Sequence, residues 1–124
     1  MSALELVFVA LGGGVGAALR FVLDGLVKAR LTRFPLGTLL INVSGSFVLG
    51  LLTGLGEAGT IAAPAVAVLG TGMMGGYTTF STASVETVQL LRSGRTRLAV
   101  LNGLGMLVVS VGAAALGLQL GRNP

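Results

Sequence analysis

Residues 70–84 read GTGMMGGYTTFSTAS, with glycines at 70, 72, 75 and 76 followed by hydroxyl side chains at Tyr77, Thr78, Thr79, Ser81, Thr82 and Ser84. Glycine loses the most backbone entropy in a helix, and Ser and Thr compete for the helix's own hydrogen bonds, so the stretch predicts a break near 75–79. A Ser/Thr-rich helix that closes back-bonds onto its own carbonyls is the plainer alternative. The setting makes the choice important, because the stretch lies inside a charge-poor run over about 62–91. Non-helical backbone at membrane depth persists only where protein or a water-filled path covers it, and the carbonyls and N–H groups it frees are recurrent ion sites.

Three more charge-poor runs, at about 4–26, 35–56 and 97–120, accompany it. Each is long enough to cross about 30 Å of hydrocarbon at about 1.5 Å per residue. The separators are short: KARLTRFP at 28–35, GEAGT at 56–60 and RSGRTR at 92–97. Residues 1–124 therefore read as a single membrane domain, an all-α integral membrane protein of four transmembrane helices with the third broken. No loop is long enough to build a soluble active site, so function has to lie in the helices or between subunits. Parallel strands are excluded because every run is longer than a strand needs.

Composition agrees with lipid as the solvent. Of 124 residues 53% are hydrophobic and 10% charged, and the mean hydropathy is +0.95; twelve charged side chains cannot cover a soluble surface. Cys, His and Trp are absent, which removes disulfides, thiolate zinc sites, histidine-ligated haem and Cys or His nucleophiles. The net charge of +4 does not point to nucleic acid, since the eight basic residues are scattered among apolar runs rather than gathered on one face. The N-terminal MSALELVFVALGG lacks a basic start and carries Glu5, so the first span is expected to stay in the mature protein.

The glycines have a packing reading. Gly12 with Gly16, Gly50 with Gly54, Gly72 with Gly76 and Gly117 with Gly121 each set two small residues four apart on one helix face, the spacing that lets helix backbones approach closely. The GGGVGA at 12–17 fits a dinucleotide-binding loop only loosely, lacking both a preceding strand and an acidic residue in the right context.

Polar residues inside the runs are the candidate functional groups. Arg20 either snorkels to the interface or adds positive potential to an anion vestibule, and Asp24 one turn on is placed to pair with it. Asn42 needs partners on a neighbouring helix, a water or a transported species, with Ser46 on the same face; the sequon Asn42-Val43-Ser44 is disqualified by depth. Glu86 faces either the same path or the membrane surface. Asn102 and Ser110 are isolated polar residues of the fourth run that hydrogen bonds across helices can explain.

Together, GGGVGAALRF at 12–21, PLGTLLINVSGSFVLG at 35–50 and GMMGGYTTFSTAS at 72–84 make the chain resemble the small fluoride channel family, also called CrcB. The resemblance implies an antiparallel dimer of four-helix subunits, two narrow fluoride-selective pores, passive fluoride export across a prokaryotic plasma membrane, and a structural sodium ion at the dimer centre. It matches Asn42 to the pore asparagine and Phe80 to the first of two pore phenylalanines. It assigns Gly75 and Thr78 to the carbonyls that hold sodium, Ser81, Thr82, Ser84 and Glu86 to the polar side of the third helix, Arg20 to the first helix's arginine, and Ser110 more weakly to the fourth. Ala83 stands where the family pattern TTFSTF has its second phenylalanine.

A dry constriction for fluoride has to replace its water with donors, such as the Asn42 amide, hydroxyls and the positive ring edge of Phe80. A competing class, the proton-coupled four-helix exporter of small or multidrug cations, needs a carboxylate near the midplane, and neither Glu5 nor Glu86 is well placed for that. Four crossings put both termini and the 56–60 loop on one side with Arg122, and Lys28, Arg30, Arg33, Arg92, Arg95 and Arg97 on the other. That 6-to-1 bias favours termini outside. It leaves two arrangements open, a dual-topology homodimer and a heterodimer with an oppositely oriented paralogue that supplies the missing aromatic.

Overall fold

The computed structural model describes residues 1–30 and 36–124; Arg33, counted in the charge bias, and Pro35, at the start of the second run, lie outside the described residues. Among the described residues three helices are long and apolar enough to cross a membrane: α1 (Ala3–Lys28), α2 (Leu36–Glu57) and α5 (Thr96–Arg122). Helix α1 begins on Ser2, whose Oγ accepts the Glu5 N–H at 3.1 Å, with Glu5 in the first turn and Lys28 in the last, the charges that suit the two ends of a helix dipole.

Between α2 and α5 the chain forms two shorter helical pieces. Helix α3 starts at Ala63–Val66 behind Pro64, widens into a π-helical stretch Ala67–Met74 and closes with one α-turn, Gly75–Tyr77. Thr78 and Thr79 are extended, at φ −82°, ψ 158° and φ −149°, ψ 119°. Helix α4 (Phe80–Arg92) follows. The break expected at 75–79 is therefore present, two residues long. A second π-helical stretch, Leu101–Gly105, interrupts α5. Turns at Gly59 (φ 76°) and Gly94 (φ 80°) end α2 and α4. Each has the paired bonds of a left-handed cap, Thr60 N–H to Leu55 O at 2.9 Å and Arg95 N–H to Leu90 O at 2.9 Å being the longer-range members.

All four glycine pairs sit where helices meet. A Cβ on Gly12 would lie 2.8 Å from the Val68 carbonyl oxygen, and one on Gly16 would overlap that of Met73; reciprocally, a Cβ on Gly72 would lie 2.6 Å from the Val9 oxygen and one on Gly76 would overlap that of Gly13. The second crossing repeats the device, with Gly50 and Gly54 against Ala114 and Leu118, and Gly117 and Gly121 against Phe47 and Leu51. Residue numbers rise together across each contact, so α1 runs parallel to α3 and α2 parallel to α5. The Arg122–Glu57 ion pair joins the C-terminal ends of α2 and α5, at the end of the bundle where the N-terminus also lies.

Little of the bundle is buried in the manner of a soluble core. Among the described residues the buried apolar side chains are Ile41, Met74, Leu90, Ala99 and Met106, and they share the interior with Thr38, Thr79 and Asn102. The large apolar residues instead face outward along α1 and α5. Polar groups inside and apolar groups outside are what a hydrocarbon surround selects.

Candidate functional site

Asn42 clasps the break. Its Oδ1 accepts the Thr79 N–H at 2.8 Å while its Nδ2 donates to the Thr79 carbonyl at 2.9 Å. Both backbone groups that the extended residue takes out of helical bonding are thereby satisfied by one side chain from α2. The second Nδ2 hydrogen goes to Met106 Sδ at 3.2 Å, and a thioether is a weak acceptor. Gly45, one turn further along α2, lets the break lie close: a Cβ there would lie 2.9 Å from the Tyr77 ring. The Tyr77 hydroxyl meets Ser44 Oγ at 3.0 Å.

The break also takes the N–H groups of residues 79–82 out of α-helical bonding, and side chains accept two of them. The Thr79 N–H would close an α-helical bond onto the Gly75 carbonyl but bonds Asn42. The Thr82 N–H would close onto the Thr78 carbonyl but donates to Thr79 Oγ1 at 3.2 Å, capping α4. The carbonyls of Gly75 and Thr78 thus lose their usual donors together.

A cavity of about 510 Å³ opens beside the clasp, lined by Asn42, Ser46, Phe80, Ser84, Met106 and Ser110 among others. Ser46 shares Asn42's face as expected. Ser110 Oγ and Asn102 Oδ1, both on this wall, are buried without a hydrogen-bonding partner. Asn102 Nδ2 donates across the helices to Thr87 Oγ1 at 2.9 Å, the interhelical bond its sequence setting suggested. Phe80 stands at the rim, 87% exposed, and Ala83 lies on the wall, leaving it open where a larger side chain would fill it.

A smaller pocket of about 190 Å³ is lined by Arg20, Phe21, Asp24, Thr38, Ile41, Thr79 and Thr82. Arg20 and Thr82 therefore lie apart from Asn42, Phe80, Ser84 and Ser110, and the single polar track expected along the third run divides in two. Ser81 is exposed and touches Thr79 Oγ1 only at 3.5 Å. Glu86 lines neither cavity and accepts a hydrogen bond from the buried Thr38 hydroxyl. The back-bonded alternative is realised locally, since Thr78, Ser84 and Thr87 donate to the carbonyls of Met74, Phe80 and Ala83; it coexists with the break.

One expectation fails. Asp24 does not pair with Arg20 but with Lys28, Oδ2 to Nζ 3.0 Å. An acidic residue four positions before a basic one is the favourable order on a helix, and the Arg20–Asp24 order is the unfavourable one. Thr79, Met106 and Thr38 are the site residues that sequence reasoning passed over. For Thr38 a signal existed, because it lies one turn before Asn42 on the same face.

The amino-acid sequence matches a known set of proteins. Residues 7–118 match the family described as CrcB-like protein, Camphor Resistance (CrcB). The chain belongs to the CrcB-like family. It is 52% identical over 122 residues to a protein of Leifsonia xyli named Fluoride-specific ion channel FluC 1, covering 98% of this chain and 89% of that one. It is 45% identical over 126 residues to Fluoride-specific ion channel FluC 2 of Cutibacterium acnes (97% and 99% covered), and 46% identical over 121 residues to Fluoride-specific ion channel FluC of Magnetococcus marinus (96% and 98%). Three apolar helices and channel-forming relatives make this CrcB-like chain a multi-pass membrane protein.

Proposed function

We propose that the chain is a subunit of a fluoride-selective channel that lets fluoride leave the cell passively across the plasma membrane. Its four crossings would be α1, α2, α5 and the broken pair α3–α4, a 1–124 membrane domain. The observation that carries this reading is the Asn42 amide, which spends one N–H on the Met106 sulfur beside a largely apolar cavity in a chain whose relatives are named fluoride-specific channels. Fluoride is strongly hydrated and a far better acceptor than a thioether, so it can take that donor as it sheds water. Ser46 and Ser84 offer further polar contacts along the same wall, and Phe80 at the rim offers a ring edge, a weak donor that does not titrate. Arg20 brings a positive charge to the smaller pocket, where Asp24 also stands and is paired by Lys28, while Thr82, Ser81 and Glu86 continue the polar side of α4. Efflux of fluoride from loaded vesicles, compared with chloride and with a cation driven by a proton gradient, separates this reading from a coupled exporter.

The Gly75 and Thr78 carbonyls suit a structural sodium ion. The helical donors of both are engaged elsewhere, and Gly75 is exposed on this subunit, where a second subunit would cover it. When bound, the ion supplies a full positive charge that holds carbonyl dipoles from two broken helices together. Sodium that binds only the assembled form stabilises it by linkage, about 2.7 kcal/mol at a hundred times the dissociation constant. The expected result is a higher melting temperature in sodium than in a large organic cation at equal ionic strength. Equal melting temperatures remove sodium from the assembly.

The assembly we infer is an antiparallel dimer, with the dual-topology homodimer as its form. The bundle keeps the N-terminus and the Glu57–Arg122 pair at one end and Lys28, Arg30, Arg92, Arg95 and Arg97 at the other. Because the chain has no cysteine, Ser2→Cys and Ser93→Cys each give a single-cysteine chain. Both are expected to label from outside intact cells. Labelling of Ser2→Cys alone means one fixed orientation, and a paralogue then has to supply the opposite one.

A further inference from the structure

We propose that Thr79 sets the ion selectivity of this chain as the wall between its two cavities, an inference that rests on the fluoride-channel reading. Among the described residues Thr79 is the one that lines both the larger cavity and the smaller pocket. It is 8% exposed and lies in the two-residue extended gap between α3 and α4. Four hydrogen bonds fix it. Asn42, on the larger cavity, takes its N–H and its carbonyl. Thr82, on the smaller pocket, receives its hydroxyl proton at 3.1 Å and donates its own N–H to the Thr79 oxygen.

Donors therefore stand on either side of one pinned side chain. Towards the smaller pocket there are Arg20 and the Thr82 hydroxyl, whose oxygen accepts from Thr79, beside the Asp24 carboxylate that Lys28 pairs. Towards the larger cavity there is the Asn42 amide. An anion passing from one to the other meets Thr79, and two of its properties matter separately. Its hydroxyl can give up its bond to Thr82 and turn about the Cβ–O bond to follow a small, strong acceptor, with no movement of the backbone. Its methyl and Cβ fill the gap, and the hydrogen bonds around them resist displacement by a larger, weaker acceptor such as chloride. On this arrangement the hydroxyl governs the fluoride rate and the volume governs chloride exclusion.

The test measures fluoride efflux and chloride efflux separately from vesicles holding wild-type chain, Thr79→Val, Thr79→Ser, Thr79→Ala or Thr79→Gly. Thr79→Val keeps the volume and removes the hydroxyl, so fluoride efflux is expected to fall by about tenfold with chloride still excluded. Thr79→Ala and Thr79→Gly remove the wall, so chloride efflux is expected to rise by about tenfold, the discrimination one small group commands in a fitted site. Thr79→Ser keeps the hydroxyl and the cap of α4 but loses the methyl, so its fluoride efflux should exceed that of Thr79→Val while its chloride efflux rises above wild type. If Thr79→Gly does not assemble, Thr79→Ala carries the same expectation. Chloride exclusion that survives in every assembled Ala or Gly variant overturns the proposal and leaves Thr79 a helix cap. A wild-type chain that moves no fluoride refutes the channel reading instead; the chloride arm still reports on the wall.

Discussion

Asn42→Asp is expected to cut fluoride flux by about three decades. The substitution keeps an oxygen to accept the Thr79 N–H but loses the donor to the Thr79 carbonyl and to Met106. It also sets a fixed negative charge beside the path. At about 4 Å and an effective dielectric constant of about 20, such a charge raises an anion's energy by about 4 kcal/mol, which is about a thousandfold in rate. Asn42→Ala acts differently. It leaves the Thr79 N–H and C=O without partners, at about 1–3 kcal/mol for each group that stays buried, so thermal stability should fall along with flux. The pair is read with a fluoride electrode and a melting curve on the same preparations. Wild-type flux in both variants makes the clasp a packing detail.

The second large effect lies in the bundle itself. Gly117→Ala puts a methyl onto the Phe47 carbonyl, on a helix pair that can yield only by separating α2 from α5 along their length. Overpacking of this kind costs about 1–3 kcal/mol, and more where backbone is the obstacle. Gly112→Ala, five residues earlier on the same helix, meets nothing within 4 Å and should be neutral or slightly stabilising, since alanine is the better helix former by about 1 kcal/mol. Melting temperature and elution volume of the two variants side by side check the claim. Equal behaviour means that α2 and α5 do not pack through their glycines.

The glycine crossings were legible because a spacing of four maps directly onto one helix face, and the helix that packs there must offer backbone. The break was legible for a related reason: GTGMMGGYTTFSTAS combines the residues that weaken a helix with those that can satisfy it in other ways. Other features depended on distance across the fold. That Asn42 reaches Thr79 and Met106, residues 37 and 64 positions away, follows from where α2, the gap and α5 meet, which no local pattern encodes. The π-helical stretches at Ala67–Met74 and Leu101–Gly105 left no periodic signature, because a wider turn shifts the apolar register only slightly within an already apolar run. Glu86 was ambiguous in sequence because a single helix face offers it both the path and the membrane surface, and its bond from the buried Thr38 hydroxyl depends on a residue 48 positions away. Asp24 had a basic residue four positions away in each direction, and the order of charges along the helix selected Lys28.

Fluoride release from vesicles that contain this chain alone, with potassium and valinomycin to dissipate the membrane potential, tests the central claim most directly. The expected trace is rapid release down the fluoride gradient, unchanged when a proton gradient is imposed, and lost in Asn42→Asp. Release no faster than from protein-free vesicles, from a preparation that elutes as a folded dimer, contradicts it.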